Sequence, residues 1–578
     1  MKNFTVLGLN YTGGHDSSAA IMRNGKIISA YEEERFNLEK HTGKFPYHAI
    51  NQCLKDAKIS KNKIDLVCLG FDQKKLIKDK YLKMSLKNEK YINVLVNDIH
   101  VIKNALKNQN EIDSFFGKKC NIKIFDHYDC HHASVYFPSG FKKSLLVSYD
   151  GKAEFCTSSV KIGNKNKFIN LGIEDEYPNS LGYIYAGITY YLGWKFFCDE
   201  GIVMGLASLG NPYAKIKGKS YISIFRKIIK IKKNNQIEIN EEWISYHLVR
   251  NKWLSDKFYR FFGKKRNHNE KILPKHKNIA AALQLRLEEV VLQMLKTNKR
   301  KYKIDNLCFS GGVALNCSLN GKIEQSNLFK KINISPGSGD QGQAIGACYL
   351  GYKDKFPNFK FVKDDNYYLG STFNKKEIKN ILLKYKKKIN FYDYSKAIYS
   401  ETAKLLSKGK IIAWFQDNAE FGPRALGNRS ILCKPFPKGM KDYVNKKVKF
   451  REAFRPFAPA IMSEYQDDYF SIKKNSYHML FASKVKKDKI KEIEATVHVD
   501  NTSRVQTVTR ESNIKFYRLL SEFHRITNIP VLLNTSFNIK GQPIINNPEE
   551  AIRSLLTTKI DYLVIDNYLI NKINKNLK

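Results

Sequence analysis

Two histidines four residues apart are the first residues in this sequence that suggest chemistry. His127 and His131 lie in the stretch FDHYDCHHAS (125–134), which follows an apolar run and is typical of a helix start, with Asp126 as the N-cap. Residues four apart on a helix project from the same face, so both imidazoles can bind one metal ion. The pair therefore predicts half of a metal site.

Two carboxylates offer plausible completions of this site. Asp150 follows the apolar run 145–149, and Asp340 lies in the glycine-rich turn 336–340. Imidazoles and carboxylates together suit a divalent transition metal such as iron(II), manganese or zinc. A zinc peptidase is disfavoured, because its signature requires Glu after the first histidine and this chain has Tyr128 there. For a lone histidine pair, the competing interpretation is a solvated helix surface.

Two further patterns suggest that phosphate groups are bound. The apolar residues 307–309 enter Ser310-Gly311-Gly312, and a helix-like segment, 313–322, follows. Paired glycines allow the backbone to approach a nucleotide closely, and a helix amino terminus favours anions. The pattern is neither a Walker nor a Rossmann motif, so a tight packing turn is the alternative.

The second pattern is a group of arginines beside Gly, Pro, Asn and Ser in the last third of the chain. Guanidinium groups bind phosphate or carboxylate through paired hydrogen bonds, which predicts a pocket for phosphate-bearing substrates. A single arginine is usually a surface group. The five arginines are Arg424, Arg429, Arg451, Arg455 and Arg504.

The elements that must position these residues include a unit that occurs twice. Each copy is a predicted strand, a polar turn and a hairpin, and such a duplication is the layout of the actin, sugar-kinase and heat-shock ATPase superfold. The first copy comprises strands 4–9, 19–22 and 26–31, with hairpin turn Asn24-Gly25. The second comprises strands 145–149, 157–162 and 168–171, with hairpin turn Gly163-Asn164.

The rest of the chain predicts at least one further domain, since 578 residues exceed one hydrophobic core. Residues 353–365 are polar and predict a linker, and the charged segment 214–277 predicts a peripheral helical insertion. Residues 279–295 repeat apolar side chains at helical spacing, as an amphipathic helix does. The stretch 179–210 is unusually poor in lysine and rich in Gly and aromatic residues, which predicts buried helix and loop near the site.

Composition restricts the protein's class and partners. The formal net charge is +44, but lysines are spread along the chain, which favours a compositional bias over a polyanion partner. The 10 cysteines form no CxxC pair, so reduced thiols are expected. No apolar run approaches the ~18 residues of a membrane span, and no secretory segment is apparent. We expect a soluble cytoplasmic protein without a membrane partner.

Taken together, the motifs resemble the O-carbamoyltransferases, a family that includes nodulation-factor and antibiotic-tailoring enzymes. The resemblance runs nearly end to end. The motifs that carry it are GGHDSSAA, EEERF, the HxxxH pair, the DG turn, VMGLA, SGGVALNC, SGDQGQAIGA, EFGPRALGNRS, VKFREAFRPFAP, HVDNTSRVQTV and LLNTSFN.

The resemblance implies an α/β protein of two domains. Residues 1–357 would form an actin-like (ASKHA) domain of duplicated ribonuclease-H-like halves, with the insertion at about 214–277, and residues 366–578 a YrdC-like α/β domain. The YrdC-like domain would combine carbamoyl phosphate and ATP into carbamoyl adenylate. The ASKHA-type domain would then transfer the carbamoyl group to a hydroxyl of a sugar or another small molecule, with AMP released.

The resemblance also assigns roles to residues. His15 would be the general base, because an unperturbed imidazole has a pKa near neutrality. The ion would be iron(II), with manganese, zinc and magnesium as alternatives. The metal ligands would be His127, His131, Asp150 and Asp340. The adenosine part would be held by Gly311, Gly312 and Asn316, and carbamoyl phosphate and ATP by Arg424, Lys449, Arg455 and Ser536.

Some departures and alternatives stay open. Ile202 stands where the family often has Lys, and Ser208-Leu209-Gly210 where it often has PYG, so contacts of that loop are not assigned. One alternative is a tRNA threonylcarbamoyl-type enzyme, which pairs the same domain types, although nucleic acid is not the expected partner. Another is a non-catalytic scaffold gated by nucleotide. The acceptor and the oligomeric state are not predicted.

Overall fold

The chain divides into two compact units. The structure is a computed structural model that describes residues 3–12, 14–72, 75–82, 85–86, 89–92, 96, 99–117, 119–232, 235–249 and 251–573. The first unit comprises Met1–Glu34 and His41–Asp365, and the second comprises Arg35–Lys40 and Asn366–Lys578. Residues 35–40 precede the predicted boundary at 357 but group with the second unit.

The first unit contains two five-stranded sheets of the same topology. Their strand orders are β3-β2-β1-β4-β5 and β14-β13-β6-β7-β8. The bounds are β1 Thr5–Asn10, β2 Ser18–Arg23, β3 Lys26–Glu32, β4 Leu66–Leu69, β5 Ile122–Ile124, β6 Lys143–Tyr149, β7 Ser158–Asn164, β8 Lys167–Ile173, β9 Lys215–Ile216, β10 Lys219–Ser220, β11 Ile229–Ile231, β12 Ile237–Ile239, β13 Asn306–Ser310 and β14 Lys331–Ile334.

Strand directions in the two sheets match as well as strand order. Strands β1, β2 and β3 pair antiparallel, and β1 pairs parallel with β4 and β4 with β5. Strands β6, β7 and β8 likewise pair antiparallel, and β6 pairs parallel with β13 and β13 with β14. The predicted duplication of a strand, turn and hairpin unit is therefore confirmed.

Two helices between these sheets carry or adjoin the predicted site. The α-helices of the first unit are α1 Glu34–Asn37, α2 Tyr47–Asp56, α3 Ile99–Phe116, α4 His127–Tyr136, α5 Leu181–Tyr191, α6 Glu200–Ala207, α7 Tyr221–Ile228, α8 Asp256–Phe262, α9 Pro274–Tyr302, α10 Cys317–Gln325 and α11 Gln343–Lys355. Helix α11 packs on β1, β2 and β4, helix α4 packs on β6 and β13, and the two helices pack on each other.

The second unit is built on one nine-stranded sheet, ordered β15-β23-β22-β16-β17-β21-β18-β20-β19. Its strands are β15 Ile389–Asp393, β16 Ile412–Phe415, β17 Arg429–Cys433, β18 Ala458–Met462, β19 Phe481–Lys484, β20 Thr502–Val508, β21 Val531–Ser536, β22 Tyr562–Ile565 and β23 Tyr568–Lys572. Its helices are α12 Lys375–Lys384, α13 Ile398–Ser407, α14 Gly439–Val444, α15 Gln466–Tyr469, α16 Ile514–Thr527 and α17 Pro548–Thr557.

This sheet is buried on both faces, and the central strand β16 shows why. Ile412 and Trp414 belong to one apolar cluster, whereas Ala413 and Phe415 belong to another. Because successive side chains of a strand point to opposite faces, each face packs into its own core. A strand buried on both faces is a continuous apolar run, as the sequence of β16 is.

Three local predictions need correction. The second hairpin turns at Lys165 and not at Gly163-Asn164, because Lys165 adopts the left-handed φ of 54° and Asn164 still pairs with Lys167. Helix α10 begins at Cys317, since the Asn316 side chain caps it by accepting from Leu319 N. The segment 214–277 is mixed, because β9 to β12 form two small sheets beside α7 and α8.

The remaining predictions on helices and cysteines agree with the structure. Asp126 caps α4 by accepting from the N–H groups of Tyr128 and Asp129. The apolar residues at the predicted helical spacing in α9 are buried: Ile279, Leu283, Leu287, Val290, Val291 and Met294. The 10 cysteines are free thiols, and seven of them are buried. Among the described residues, no helix combines the length and apolarity that a membrane crossing requires.

Replacing Gly346 of α11 by Ala should destabilise the first unit. An added Cβ would lie 1.9 Å from the carbonyl oxygen of Cys130 on α4, so the two helices must move apart. We expect a loss of about 1–3 kcal/mol of unfolding free energy, measured by calorimetry. Gly201→Ala in α6 is the matched control, because nothing lies within 4 Å of its added Cβ. An equally stable Gly346→Ala protein would contradict this packing.

Candidate active site

The four predicted metal ligands meet in the first unit. His127 and His131 project from α4, Asp150 follows β6, and Asp340 opens the turn that leads into α11. One nitrogen or oxygen of each side chain lies within 4.8 Å of the others. The topology explains why these residues meet. Strands β6 and β14 end at the same edge of the second sheet, so Asp150 and the turn of Asp340 follow from that edge, and helix α4 packs on the same sheet.

The separations suit a single ion. The two histidine Nε2 atoms are 3.1 Å apart, and His131 Nε2 lies 2.8 Å from Asp150 Oδ2. Asp340 Oδ1 is 3.6 Å from His127 Nε2 and 3.5 Å from His131 Nε2. Two ligands each ~2.1 Å from one ion lie no more than ~4.2 Å apart, so these atoms can share a cation. The donor set therefore fits a divalent metal of the predicted kind.

Burial and charge in this cluster also favour a cation. Both imidazoles are buried, and His131 Nδ1 has no hydrogen-bond partner among the described residues. Burial lowers the pKa of His131, but the hydrogen bonds and charges of Asp150 and Asp340 outweigh it and raise the pKa to about 9. Burial raises the pKa of Asp150, yet its bonds to His127 and His131 hold it well below the usual range. A cation must displace the proton on His131.

His15 stands beside this cluster. It lies in the turn between β1 and β2, about a third of its side chain is exposed, and its Nε2 is 3.8 Å from Asp340 Oδ2. Burial lowers the pKa of His15, whereas the hydrogen bond and charge of Asp16 and the charge of Asp340 raise it to about 9. The expectation from an unperturbed imidazole therefore does not hold in the fold, because two carboxylates set this pKa.

Aromatic side chains, which the sequence argument did not name individually, line the same region. The Phe197 ring stacks on His15 with centroids 5.5 Å apart, and Tyr183 and Trp253 each contact Phe197 at 5.4 Å. Tyr183 also lies against Gly151, where an added Cβ would be 2.9 Å from its ring. An aromatic wall between His15 and the turn after Asp150 is suited to the carbon skeleton of a small molecule.

The paired glycines adjoin the metal cluster. Gly311 has a φ of 82°, and an added Cβ would lie 2.2 Å from the carbonyl oxygen of Tyr149. At Gly312 an added Cβ would be 3.0 Å from Asp150 Oδ1. The side-chain oxygen of Asn316 accepts from Leu319 N of helix α10, and its amide nitrogen donates to Gln284 Oε1 at 2.8 Å. The adenosine-binding roles of these residues stay predictions.

Gln343 is a site residue that the sequence argument missed. It is fully buried at the start of α11, three residues after Asp340. With its amide nitrogen towards the carbonyls of Gly70 and His127, its amide oxygen lies 2.9 Å from Nε2 of both His127 and His131. Backbone carbonyls only accept hydrogen bonds, so the carbonyls of Gly70 and His127 require the amide nitrogen of Gln343 to face them. The motif SGDQGQ carried the signal, but only packing shows which glutamine turns inward.

In the second unit, Lys449 and Ser536 are in contact. Lys449 is buried at the end of a π-helical turn, and its Nζ donates to Ser536 O, Asn538 O and Asn538 Oδ1 at 2.7, 2.8 and 2.6 Å. Ser536 Oγ is a fourth neighbour at 3.3 Å. An ammonium has three N–H donors, so Lys449 holds the 536–538 turn and contributes charge, and a phosphate contact would replace one of these bonds.

A cluster of cations surrounds Lys449. Burial lowers its pKa well below the usual value, and the charges of Arg451, Arg455 and Lys40 add to this effect. Burial and the charges of Arg455 and Arg504 likewise lower the pKa of Arg451. Buried like charges destabilise each other, which an anionic ligand would relieve. A cavity of about 400 Å³ beside them is lined by residues that include Arg451, Lys446 and Lys540.

The two remaining arginines differ in role. Arg424 lies in the loop before β17, which Glu420 organises by accepting from the N–H groups of Leu426, Asn428 and Arg429. Arg429 is fully buried, stacks on Phe415, and donates to backbone carbonyls that include Ser371 O at 2.7 Å. The prediction that Arg429 faces a phosphate pocket is wrong, because its guanidinium ties the loop to the sheet.

Replacing His131 by Ala should weaken Mn²⁺ binding by at least about 100-fold, since even indirect neighbours of a metal contribute 10–100-fold. Wild-type affinity should rise about tenfold per pH unit between pH 6 and 8, because His131, with a pKa of about 9, releases one proton. Titration calorimetry measures both. His132→Gln, a change at a neighbouring histidine that faces Ser159, should retain wild-type affinity. Equal affinities of the His131→Ala and His132→Gln proteins would exclude this metal site.

Comparison with known proteins gives consistent matches. The family model described as Carbamoyltransferase N-terminus matches residues 5–349, and that described as Carbamoyltransferase C-terminus matches residues 403–572. The uncharacterized protein sll1178 of Synechocystis sp. is 34% identical over 600 residues, covering 96% of this chain and 95% of that protein. Nodulation protein NolNO of Sinorhizobium fredii is 31% identical over 572 residues, covering 98% and 80%.

Similarity to solved structures is much weaker. The ROK hexokinase from Thermus thermophilus matches with a TM-score of 0.30 and 12% identity, over 61% of this chain and 100% of that one. At such a TM-score the likeness supports no conclusion. The two family models together span most of the sequence and include each predicted site residue. The chain therefore belongs to the carbamoyltransferase family and is a carbamoyltransferase.

Proposed function

We propose that this carbamoyltransferase combines carbamoyl phosphate and ATP into carbamoyl adenylate in its second unit. The first unit then transfers the carbamoyl group to the hydroxyl of a small molecule, with AMP released. The observation that carries the proposal is the convergence of His127, His131, Asp150 and Asp340 beside His15. The matched strand orders of the first unit's sheets support an actin-like assignment for residues 1–357, and a YrdC-like assignment for 366–578 belongs to the same proposal.

In the second unit, buried cations would neutralise the phosphate groups. Lys449 holds the turn that presents Ser536, whose hydroxyl donates to Asn538 Oδ1 at 2.7 Å and would turn from it to donate to a phosphate or carbamoyl oxygen. Arg455 and Arg424 would supply paired donors to phosphate. The mutual repulsion of Lys449, Arg451 and Arg455 supports a polyanionic ligand, because such a ligand would add to the negative charge of Glu452, which only partly offsets that repulsion.

In the first unit, the protein would orient the acceptor and accept its proton. The wall formed by Phe197, Tyr183 and Trp253 would hold the acceptor so that its hydroxyl faces His15. His15 Nε2 would take the hydroxyl proton, the new C–O bond would form at the carbamoyl carbon, and the bond to AMP would break. A divalent cation at the cluster, iron(II) in our proposal, would polarise the phosphate and carbamoyl oxygens.

The charge of Asp340 connects the cluster to His15. Since that charge helps to raise the pKa of His15, a cation bound by Asp340 would oppose its effect and bring His15 closer to the neutral form that a base requires. The same cation would hold Asp150, whose Oδ1 accepts from Gly151 N at 2.7 Å and so fixes the turn beside the aromatic wall. The bound ion, the general base and the aromatic wall that holds the acceptor would then form one site.

The overall reaction is tested with purified full-length protein, carbamoyl phosphate, ATP and Fe²⁺ or Mn²⁺ under anaerobic conditions. We expect carbamoyl adenylate without an acceptor, and AMP plus a product heavier by one carbamoyl group with a suitable member of a panel of sugars and polyhydroxylated compounds. Absence of adenylate and AMP with every metal would refute the proposal. Dependence on threonine, bicarbonate and tRNA would instead identify the RNA-modifying alternative.

The two half-reactions should separate by mutation. Lys449→Met removes a buried charge and the anchor of the 536–538 turn, so adenylate formation should fall by more than about 100-fold. Mn²⁺ affinity, a property of the first unit, should stay at the wild-type value. Lys447→Met, at an exposed lysine of the same turn, is the control and should retain adenylate formation. Loss of Mn²⁺ binding in Lys449→Met would contradict this division of labour.

A further inference from the structure

We infer that Asp16 and His41 form a relay that positions His15, an inference that rests on the proposed function. Asp16 Oδ2 accepts from His15 Nδ1 at 3.0 Å, and Asp16 Oδ1 accepts from His41 Nδ1 at 2.6 Å. One carboxylate thus binds two imidazoles through the same ring nitrogen of each. Asp16 and His41 are positioning residues, since His15 alone faces the metal cluster through Asp340.

The relay selects which nitrogen of His15 can take a proton. An ionised carboxylate only accepts hydrogen bonds, so the His15 Nδ1 that contacts it carries hydrogen. In the neutral ring the free lone pair is then on Nε2. Nε2 is the atom that lies 3.8 Å from Asp340 Oδ2, on the side of the metal cluster. Without Asp16, the ring could rotate and exchange its two nitrogens.

The backbone around His15 is strained in the residues that hold it. Asp16, His41 and Phe197 each have a φ of 57°, a region that residues other than glycine seldom adopt. Hydrogen bonds maintain two of these conformations: Asn10 Nδ2 donates to Asp16 O at 2.8 Å, and His41 N donates to Glu34 Oε2 at 2.7 Å. Such strain concentrates where function fixes a side chain. Here the strained residues hold His15, because Asp16 bonds its Nδ1 and Phe197 stacks on its ring.

A second cation site is the competing explanation, because Asp16, Glu34 and His41 also lie close enough to share an ion. Their polar atoms are already paired with one another, however. Both oxygens of Asp16 accept from imidazoles, and a Glu34 oxygen accepts from the backbone of His41. A cation would have to break these bonds. These hydrogen bonds therefore favour a role of the arrangement in orienting His15.

Asp16→Asn tests the relay in the full-length enzyme. The amide has one accepting oxygen, so it cannot accept from both imidazoles. We expect kcat for carbamoyl transfer to fall by about 10²–10⁴-fold, as for the carboxylate of a catalytic triad. Acceptor KM, Mn²⁺ affinity and adenylate formation should change by less than about threefold. Above the His15 pKa of about 9, where its ring is neutral, ¹⁵N NMR of labelled histidines should show the Nδ1–H tautomer of His15 in the wild type and its loss in the variant.

Two further variants separate positioning from a structural effect. If Asp16 acts through His15, Asp16→Asn/His15→Gln should transfer no more slowly than His15→Gln, whereas multiplied losses would overturn the relay. His41→Gln keeps an N–H donor and leaves the Asp16 turn intact, so a loss of about tenfold in kcat is expected. Wild-type kcat in both Asp16→Asn and His41→Gln would also overturn it.

A control and an activity-independent measurement complete the test. His48→Gln removes another imidazole and carboxylate pair, formed with Glu33 at 2.6 Å, and should leave kcat unchanged. The NMR measurement needs no turnover, so retention of the Nδ1–H tautomer in Asp16→Asn would overturn the relay even in an inactive protein. Absence of AMP release by the wild type would instead overturn the proposed function, and the tautomer would still decide the relay.

Discussion

The close packing of helix α4 on helix α11 is the constraint on which the cluster of His127, His131, Asp150 and Asp340 depends. Gly346 lets the helices approach so far that a single added carbon would lie 1.9 Å from a carbonyl oxygen of α4. Helix α4 carries both histidines, and α11 follows directly on the turn of Asp340 and begins with Gln343. Because buried helices cannot shift independently of their sheets, the fold itself holds these side chains close together.

Each unit contains a buried cluster of charged side chains. The cluster in the first unit suits a cation, whereas the cluster in the second unit has an excess of positive charge. In the first unit, two carboxylates and two imidazoles converge, and one imidazole must lose a proton before a cation is bound. In the second unit, Lys449 and Arg451 are buried beside other cations, which lowers the pKa of both. Buried charge of one sign is costly without its counter-ion, so a ligand of opposite charge would stabilise each cluster.

The duplicated sheets and the histidine pair could be predicted because both depend on local pattern, whereas Asp150 and Asp340 were candidates that the family resemblance joined to that pair. Apolar runs separated by turn residues gave the hairpins, and the helical period placed His127 and His131 on one face. What the sequence pattern missed depends on packing between distant segments. Arg424 and Arg429 have similar neighbours in sequence, yet the guanidinium of Arg429 ends on backbone carbonyls, including Ser371 O. The pKa of His15 similarly depends on Asp340, which lies 325 residues away along the chain.

The net charge of +44 does not show which cations of the chain can act on a ligand, because that also depends on burial. Lys447 and Lys449 belong to one helical turn and are identical in type, but Lys447 is solvated while Lys449 is buried against Ser536 and Asn538. An exposed ammonium is screened by water and salt, whereas a buried one acts on its neighbours through a medium of low dielectric constant. Net charge adds both kinds equally, so burial, and not composition, distinguishes a lysine that can act on a phosphate from one that keeps the surface hydrated.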